Sequence, residues 1–293
     1  MKTKTTITTI LGVAILFTGC VGDTIYNTDH PDHGMVILTT DWAQRTSGIA
    51  LSADYTVQMG DYSAVVSGVT NTLDHLFTPG AYRLRVYNTP QQFSVTGNVA
   101  TVSEAAPATG STGRFLQPLP GWLFSCVADM EIEADTDYEF TAPMQQQVRQ
   151  LTLLIEPVGN TRNKIQGIDG ILSGVAGSLD LDTGTHADAS NVALGFSRIT
   201  TGSNAGKWAA TVHLLGIVPG SPQVLTAEIR FMDGSPAAVP LVSDLSTELS
   251  AFNTDKMYPL TLDGQMVEIP TEAGFAITIN DWYTRSGGSV VVN

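Results

Sequence analysis

Short runs of β-branched and aromatic residues, cut every few positions by Gly, Pro, Asn or Asp, recur from Gly34 onward and limit the fold more tightly than any other feature. Such runs suit a pleated, half-buried surface, and the interrupting residues supply turns. Candidate strands are Met35 to Trp42, Tyr55 to Met59, Ala64 to Ser67, Ala81 to Tyr87, Phe93 to Val102 and Trp122 to Ile132. They continue with Val148 to Glu156, Ala193 to Ile199, Trp208 to Leu215, Val224 to Met232, Tyr258 to Leu262 and Phe275 to Trp282. Helical spacing is confined to Asn71 to Phe77, to Asn163 to Leu172 with Ile165, Ile168 and Leu172 on one face, and to Leu245 to Phe252. The expected fold class is all-β with a few short helical turns. A chain of 293 residues is long enough for two domains with separate cores. A new strand series starts near Ala142-Pro143, which divides the body into 34–142 and 143–293, each suiting a sandwich of about seven or eight strands.

Ahead of these strands lie a basic start (Lys2, Lys4), an apolar stretch from Ile7 to Phe17 and small residues before Cys20, the three parts of an export signal. The apolar stretch is too short to span a bilayer. Phe17-Thr18-Gly19-Cys20 resembles a lipobox, which implies removal of residues 1–19 as a lipoprotein signal peptide and acylation of the Cys20 sulfur. The competing reading is an ordinary secretory signal with a chance cysteine. Each buried CH₂ of an acyl chain contributes about 0.8 kcal/mol, so two or three chains make attachment effectively permanent. Residues 20–33 after the cut are polar and aperiodic and read as a flexible spacer. With Cys20 acylated, Cys126 is the sole thiol and no intramolecular disulfide can form. Its apolar surroundings, Trp122 to Val127, point to a buried, inert thiol.

Charge and motifs narrow the function. The net charge is −14, and losing Lys2 and Lys4 with the signal makes it more negative. That argues against nucleic acid as a partner, since affinity for phosphates comes from basic side chains. It also disfavours adsorption to anionic lipid, and it reads as solubility at a crowded surface. There is no Gly-x-Ser-x-Gly, and the histidines (His30, His33, His75, His186, His213) show no partnered motif. Gly167, Gly170, Gly174 and Gly177 lack the spacing of a dinucleotide loop and mark a turn with close-packed strands. No cofactor is implied.

Three acidic groups invite a sharper reading. Glu131, Glu133, Asp135, Asp137 and Glu139 alternate with Ile132, Ala134, Thr136 and Tyr138, which on one strand makes an acidic face and a largely apolar one. Catalysis needs environments that push two carboxyl pKa values apart, so a solvated face is the plainer interpretation. Asp29, His30, Asp32 and His33 would suit a metal if held rigid, and Asp180, Asp182 and Asp188 around Gly184 echo a calcium loop without its full spacing. The expectation is a polar spacer and a hairpin tip, with neither metal nor catalytic residues. Trp42, Trp122, Trp208 and Trp282 are expected in the core; a coplanar exposed pair would instead make a sugar platform.

The chain resembles the fimbrillin-associated anchor (FimB-type) family of type V pili in the Bacteroidota. The resemblance rests on Cys20 with its short spacer, on Val36-Ile37-Leu38-Thr39-Thr40-Asp41-Trp42 and on Tyr82-Arg83-Leu84-Arg85-Val86-Tyr87-Asn88. It continues through Met144-Gln145-Gln146-Gln147-Val148-Arg149-Gln150-Leu151-Thr152-Leu153, Leu172-Ser173-Gly174-Val175-Ala176 and Ile277-Thr278-Ile279-Asn280-Asp281-Trp282. It implies two transthyretin-like β-sandwich domains and a non-enzymatic role in pilus anchoring or adhesion at the outer membrane, with fimbrillin-like stalk subunits as partners. In this family, stalk subunits are freed from lipid by a cut after Arg or Lys ahead of the first core strand. Here no Lys or Arg occurs from Thr5 through Gln44, so that cut is unavailable and the lipid should stay attached. Val290, Val291 and Val292 near the C-terminus either complete the last sheet or pair with the next subunit by β-strand addition. The alternatives are a surface carbohydrate-binding lipoprotein using the tryptophans, and a glycan-acting enzyme using Glu131 and Glu133.

Overall fold

The computed structural model describes residues 26–285, apart from 160–161, 233, 235–236 and 272–273. In chain order the strands are β1 (Gly34–Asp41), β2 (Asp54–Met59), β3 (Tyr62–Ser67), β4 (Thr70–Phe77), β5 (Gly80–Tyr87), β6 (Phe93–Thr96), β7 (Val99–Val102), β8 (Glu104–Ala105), β9 (Phe115–Leu116) and β10 (Phe124–Ile132). There follow β11 (Thr136–Pro143), β12 (Gln145–Gln146), β13 (Arg149–Pro157), β14 (Ile165–Asp180), β15 (His186–Arg198), β16 (Trp208–Leu214), β17 (Val224–Phe231), β18 (Val239–Asp244), β19 (Leu260–Thr271) and β20 (Gly274–Arg285). The described residues contain no helix, and the protein is all-β.

Two hydrophobic cores organise these strands. In the first, the sheet β11-β1-β4 and the sheet β12-β10-β5-β2-β3 bury their facing side chains together. β1 is the middle strand of its sheet, parallel to β11 and antiparallel to β4. Its strict alternation sends Val36 and Leu38 fully inside, with Tyr55, Val57, Leu84, Val86 and Phe124 in the same core. The second core is enclosed by β18-β17-β14-β15 and β16-β13-β19-β20. The long β15 joins the halves, pairing with β14 along most of its length and with β16 at Ser197 and Arg198. At the other side β18 meets β20, where Trp282 Nε1 donates to Ser243 Oγ at 2.9 Å.

The chain leaves the first core for the last time after Met144, close to Ala142-Pro143. The segment between β5 and β10, which that sequence division placed in the first half, instead adds to the second core. β7 pairs with β14 and β9 with β15, and Phe93, Ala100, Val102 and Leu116 are buried there. An excursion of this kind is a long-range pairing, invisible to local spacing.

Two of the three expected helical segments are strands. Asn71 to Phe77 belongs to β4, ladder-bonded to β1. Asn163 to Leu172 runs into β14, where a bulge between Ile165 and Gly167 shifts the alternation so that Ile165, Ile168 and Leu172 all turn inward. One extra residue in a strand thus imitates helical spacing. Leu245 to Phe252 does form helical turns, with the Leu249 N–H on the Leu245 carbonyl (2.9 Å) and the Phe252 N–H on the Leu249 carbonyl (2.8 Å). The glycine series marks not a turn but β14 itself. At Gly174 φ is +72° and an added Cβ would lie 2.4 Å from the Pro222 carbonyl oxygen, so this bulge admits only glycine. The single run Phe93 to Val102 is a hairpin, β6-β7, turning at Gly97 with φ +61°.

Candidate functional site

The arrangement with functional content is the entry of the chain into β1. The last part of the expected flexible spacer is docked. Asp135, in the turn between β10 and β11, accepts the Asn27 N–H (2.8 Å), the Thr28 N–H (2.7 Å) and the Thr28 hydroxyl (2.8 Å). The Asp135 N–H in turn donates to the His33 carbonyl at 2.9 Å. Buried His30 engages both ring nitrogens, Nδ1 with the His33 carbonyl (2.8 Å) and Nε2 with Asp137 Oδ1 (2.7 Å). The Asn27 and Thr28 donors hold the Asp135 carboxyl below the usual range, and the His33 carbonyl followed by Asp137 raises His30 above its ordinary value. The flexible-spacer expectation is therefore corrected for residues 26–33.

The acidic ladder is corrected as well. It is not one strand face, because the chain turns between Ile132 and Thr136, where Asp135 sits at φ +54°. β10 and β11 then enter different sheets. Aspartate tolerates this left-handed backbone because its short side chain bonds locally, and here it bonds the spacer. Glu131 and Glu139 stay on strands, Glu133 is in the turn, and Asp137 is on His30. Asp29 and Asp32 do not join His30 in a cluster, and among the described residues no group of three or more His, Cys, Asp or Glu could hold a metal.

The two cores are clamped together at the opposite end of β1. The tip between β14 and β15 is an Asp180 turn, its Oδ1 accepting the N–H groups of Asp182 (2.9 Å) and Thr183 (3.1 Å). That tip lands on β5. Arg85 donates from Nε and Nη2 to the two Asp182 oxygens, each at 2.6 Å, and lowers the Asp182 carboxyl pKa. Asp188 lies elsewhere, accepting Ser178 Oγ at 2.6 Å. On the other flank, Gln146 accepts the Thr46 N–H (2.8 Å) and donates to the carbonyls of Val148 (2.7 Å) and Lys256 (2.8 Å). Arg149 is buried there, donating to the Tyr258 carbonyl at 2.7 Å and lying 5.2 Å over the Phe252 ring. Reading motifs one at a time missed this clamp, although Arg83-x-Arg85 on one strand face was a visible signal.

The remaining candidates are placed as follows. Trp42 and Trp208 are buried, Trp122 is half-buried 4.2 Å from the His213 ring, and Trp282 is half-buried on Ser243. No two of them make an exposed platform. Cys126 is buried, and burial pushes its thiol up to about 11. His75 stacks on Tyr62, and His186 and His213 are lowered by burial. Cys20 and Val290, Val291 and Val292 lie outside the described residues.

Comparison with known proteins sets this geometry in context. A search of curated sequences finds no match. Among solved structures, a proposed adhesin from Bacteroides ovatus is similar with a TM-score of 0.60 at 14% identity, over 85% of this chain and 93% of that one. The fimbrial anchor protein Mfa2 from Porphyromonas gingivalis is similar with a TM-score of 0.53 at 13% identity, over 85% and 98%. A proposed polysaccharide-binding protein from Bacteroides thetaiotaomicron gives 0.53 at 8%, over 86% and 98%. At these identities the likeness is one of fold. The sequence itself matches the family described as fimbrillin-A associated anchor proteins Mfa1 and Mfa2 across residues 111–287, more than half of its length, and the chain belongs to that family.

Proposed function

We propose that this protein is a non-enzymatic anchor subunit of a fimbrium, held at the outer membrane by lipid on Cys20 and joined to fimbrillin-like stalk subunits by β-strand addition. Nucleic acid has no part in this role. The observation that carries the reading is the position of β1. This strand is paired on both sides and its inward residues are fully buried. The first basic residue after the signal, Arg45, comes only beyond it. A protease cutting after Arg or Lys therefore finds no site between the lipid and the body, and the anchor strand stays in place.

The docked spacer supports the same orientation. With Asn27 fixed on Asp135, covalent geometry lets the chain from Cys20 reach at most about 25 Å before it meets the body, against about 50 Å if the first fixed residue were Gly34. Membrane attachment then falls at one pole of the first core and the second core at the other, which leaves the second core available to the stalk. Val290, Val291 and Val292 are the proposed contact segment, adding main-chain hydrogen bonds at an open sheet edge.

The test is co-purification from native membranes with mass spectrometry of the N-terminal peptide. An acylated Cys20 peptide accompanied by fimbrillin-like subunits is the expected result. An acylated peptide travelling only with glycan-uptake proteins would overturn the anchor role, and an unmodified Cys20 would overturn the tether.

A further inference from the structure

A cleft of about 710 Å³ opens where the two cores meet, bordered by Gln44, Gln145, His186, Asp255, Lys256 and Tyr258. Its unusual member is Lys256. This half-buried ammonium donates to Gln147 Oε1 at 2.9 Å and approaches His186 Nε2 at 3.4 Å. No ion pair to it occurs among the described residues, although the chain carries 28 acids against 14 bases. The other described lysine drawn into the fold, Lys207, has both Asp263 (2.7 Å) and Glu156 (3.1 Å).

The side chains that touch Lys256 do not offset its charge. His186 is buried, and its pKa is pushed down to about 4 by burial first and then by the Lys256 charge, so the imidazole is neutral at pH 7. Its ring packs against Gly216, where an added Cβ would lie 2.3 Å from His186 Cδ2. Burial draws Lys256 itself down to about 8. Holding a cation out of water without an anion is costly, and such groups concentrate where a ligand supplies the missing charge.

The other free groups say what kind of ligand. Gln146 and Asn253 are engaged by main chain, and Gln147 holds Lys256 and Ser125 Oγ. The exposed residues Gln44, Gln145, Asp255 and Tyr258 line the cleft, and Tyr258 is 64% exposed. The backbone there is closed, since β12 pairs with β10 on one side and the Gln146 N–H meets the Gln44 carbonyl on the other. An added peptide strand finds no open edge. Side-chain amides, a carboxylate and a phenol ring suit vicinal hydroxyls and the apolar face of a sugar ring. The net charge of −14 opposes a repeating polyanion.

We propose that this cleft binds a saccharide bearing a single carboxylate, a uronic or sialic acid, with Lys256 taking the carboxylate, Tyr258 stacking on the ring, and Gln44, Gln145 and Asp255 holding hydroxyls. The activity is independent of the lipid tether and of the stalk contact.

The experiment is saturation-transfer NMR with calorimetry on the full chain, using 3′-sialyllactose, a glucuronate-terminated disaccharide, lactose, and a glutamate-containing pentapeptide as probes. One or both acidic saccharides should saturate, and the two arms tell sialic from uronic acid. Lys256→Met should weaken that binding on the order of tenfold, the scale of one charge contact. Tyr258→Ala, at an exposed position that leaves the cores intact, should remove the ring-face saturation signal. Raising the pH from 7 to 9.5 should weaken binding in the wild type and leave Lys256→Met unchanged. Of the other groups at the cleft, His186, drawn down to about 4, stays neutral across this range, and Asp255 and Tyr258 border the cleft with Arg149 bonded to the Tyr258 carbonyl. No saturation by either acid, equal binding of lactose, preference for the peptide, or full affinity in Lys256→Met would each overturn the proposal.

Discussion

Truncating Leu38 to alanine tests whether β1 is as integral to the first core as its pairing implies. The side chain is fully buried, and its backbone stands between Asn71 of β4 and Phe140 of β11. Losing the apolar carbons of leucine beyond Cβ removes transfer free energy of about 0.8 kcal/mol per carbon, and the cavity left behind adds to that, for a total of about 3 kcal/mol. The two cores need not unfold together, so a single melting midpoint is a poor readout. Hydrogen exchange resolves them. A loss of about 3 kcal/mol accelerates exchange by about 150-fold for amides that open with the first core, in β1, β4 and β11. Amides of β14, β15 and β17 should change little. As a control, Val65→Ala removes a side chain that is 71% exposed and should alter exchange hardly at all. A less than twofold effect in β11, or equal acceleration in both cores, would refute the reasoning that β1 is a core strand of a separately packed unit.

Further outcomes follow from the contacts. Asp182→Ala leaves Arg85 partly buried without its two-point partner and should cost about 1 to 3 kcal/mol at the junction, read as greater inter-unit motion by small-angle scattering. Because the folded Asp182 pKa is depressed, the stabilisation from this pair is present above the unfolded value near 3.9 and is lost as pH falls through the folded one. An acid-unfolding limb below about pH 4 should therefore be blunted in Asp182→Asn. Asp135→Ala should expose Thr28 to His33 to proteolysis and rapid exchange while both cores keep their stability. In the wild type that protection should peak between roughly pH 4 and 6.5, since the lowered Asp135 contributes above its unfolded pKa and the raised His30 contributes below its own. Gly174→Ala combines a left-handed backbone with a 2.4 Å approach to the Pro222 carbonyl, and should lower the stability of the second core by about 1 to 3 kcal/mol in urea titration.

Much of this architecture was legible because strands carry a two-residue period that survives in the sequence. The runs at Met35, Tyr55, Ala81, Trp208 and Val224 coincide with β1, β2, β5, β16 and β17 to within a residue or so at each end. The misreadings have local causes. The bulge near Ile165 converted alternation into a three- and four-residue spacing, and β4 carries too few inward side chains to announce itself without its partner β1. Asp135 looked like one rung of a ladder because its left-handed backbone, which breaks the strand, leaves no trace in residue type. The excursion of β6 to β9 onto the second core, the Arg85–Asp182 clamp and the uncompensated Lys256 are all products of residues far apart in the chain. No window of local sequence contains both partners. Cys126 was readable from its neighbours alone, since an apolar run around a thiol already specifies burial.

The geometry of β1 also decides how the protein carries load. Tension entering at Asn27 pulls along the strand axis, away from the second core, because β1 runs from the spacer pole towards the junction. Its eight register pairs with β11 and five with β4 lie across that axis. A force so directed cannot unzip the ladder one rung at a time. It must shear both ladders at once, with the carboxylate of Asp135 as the first grip to yield. A strand inserted this way resists sudden pulling along its axis far better than its equilibrium stability alone suggests, which is the property the proposed anchoring role would draw on.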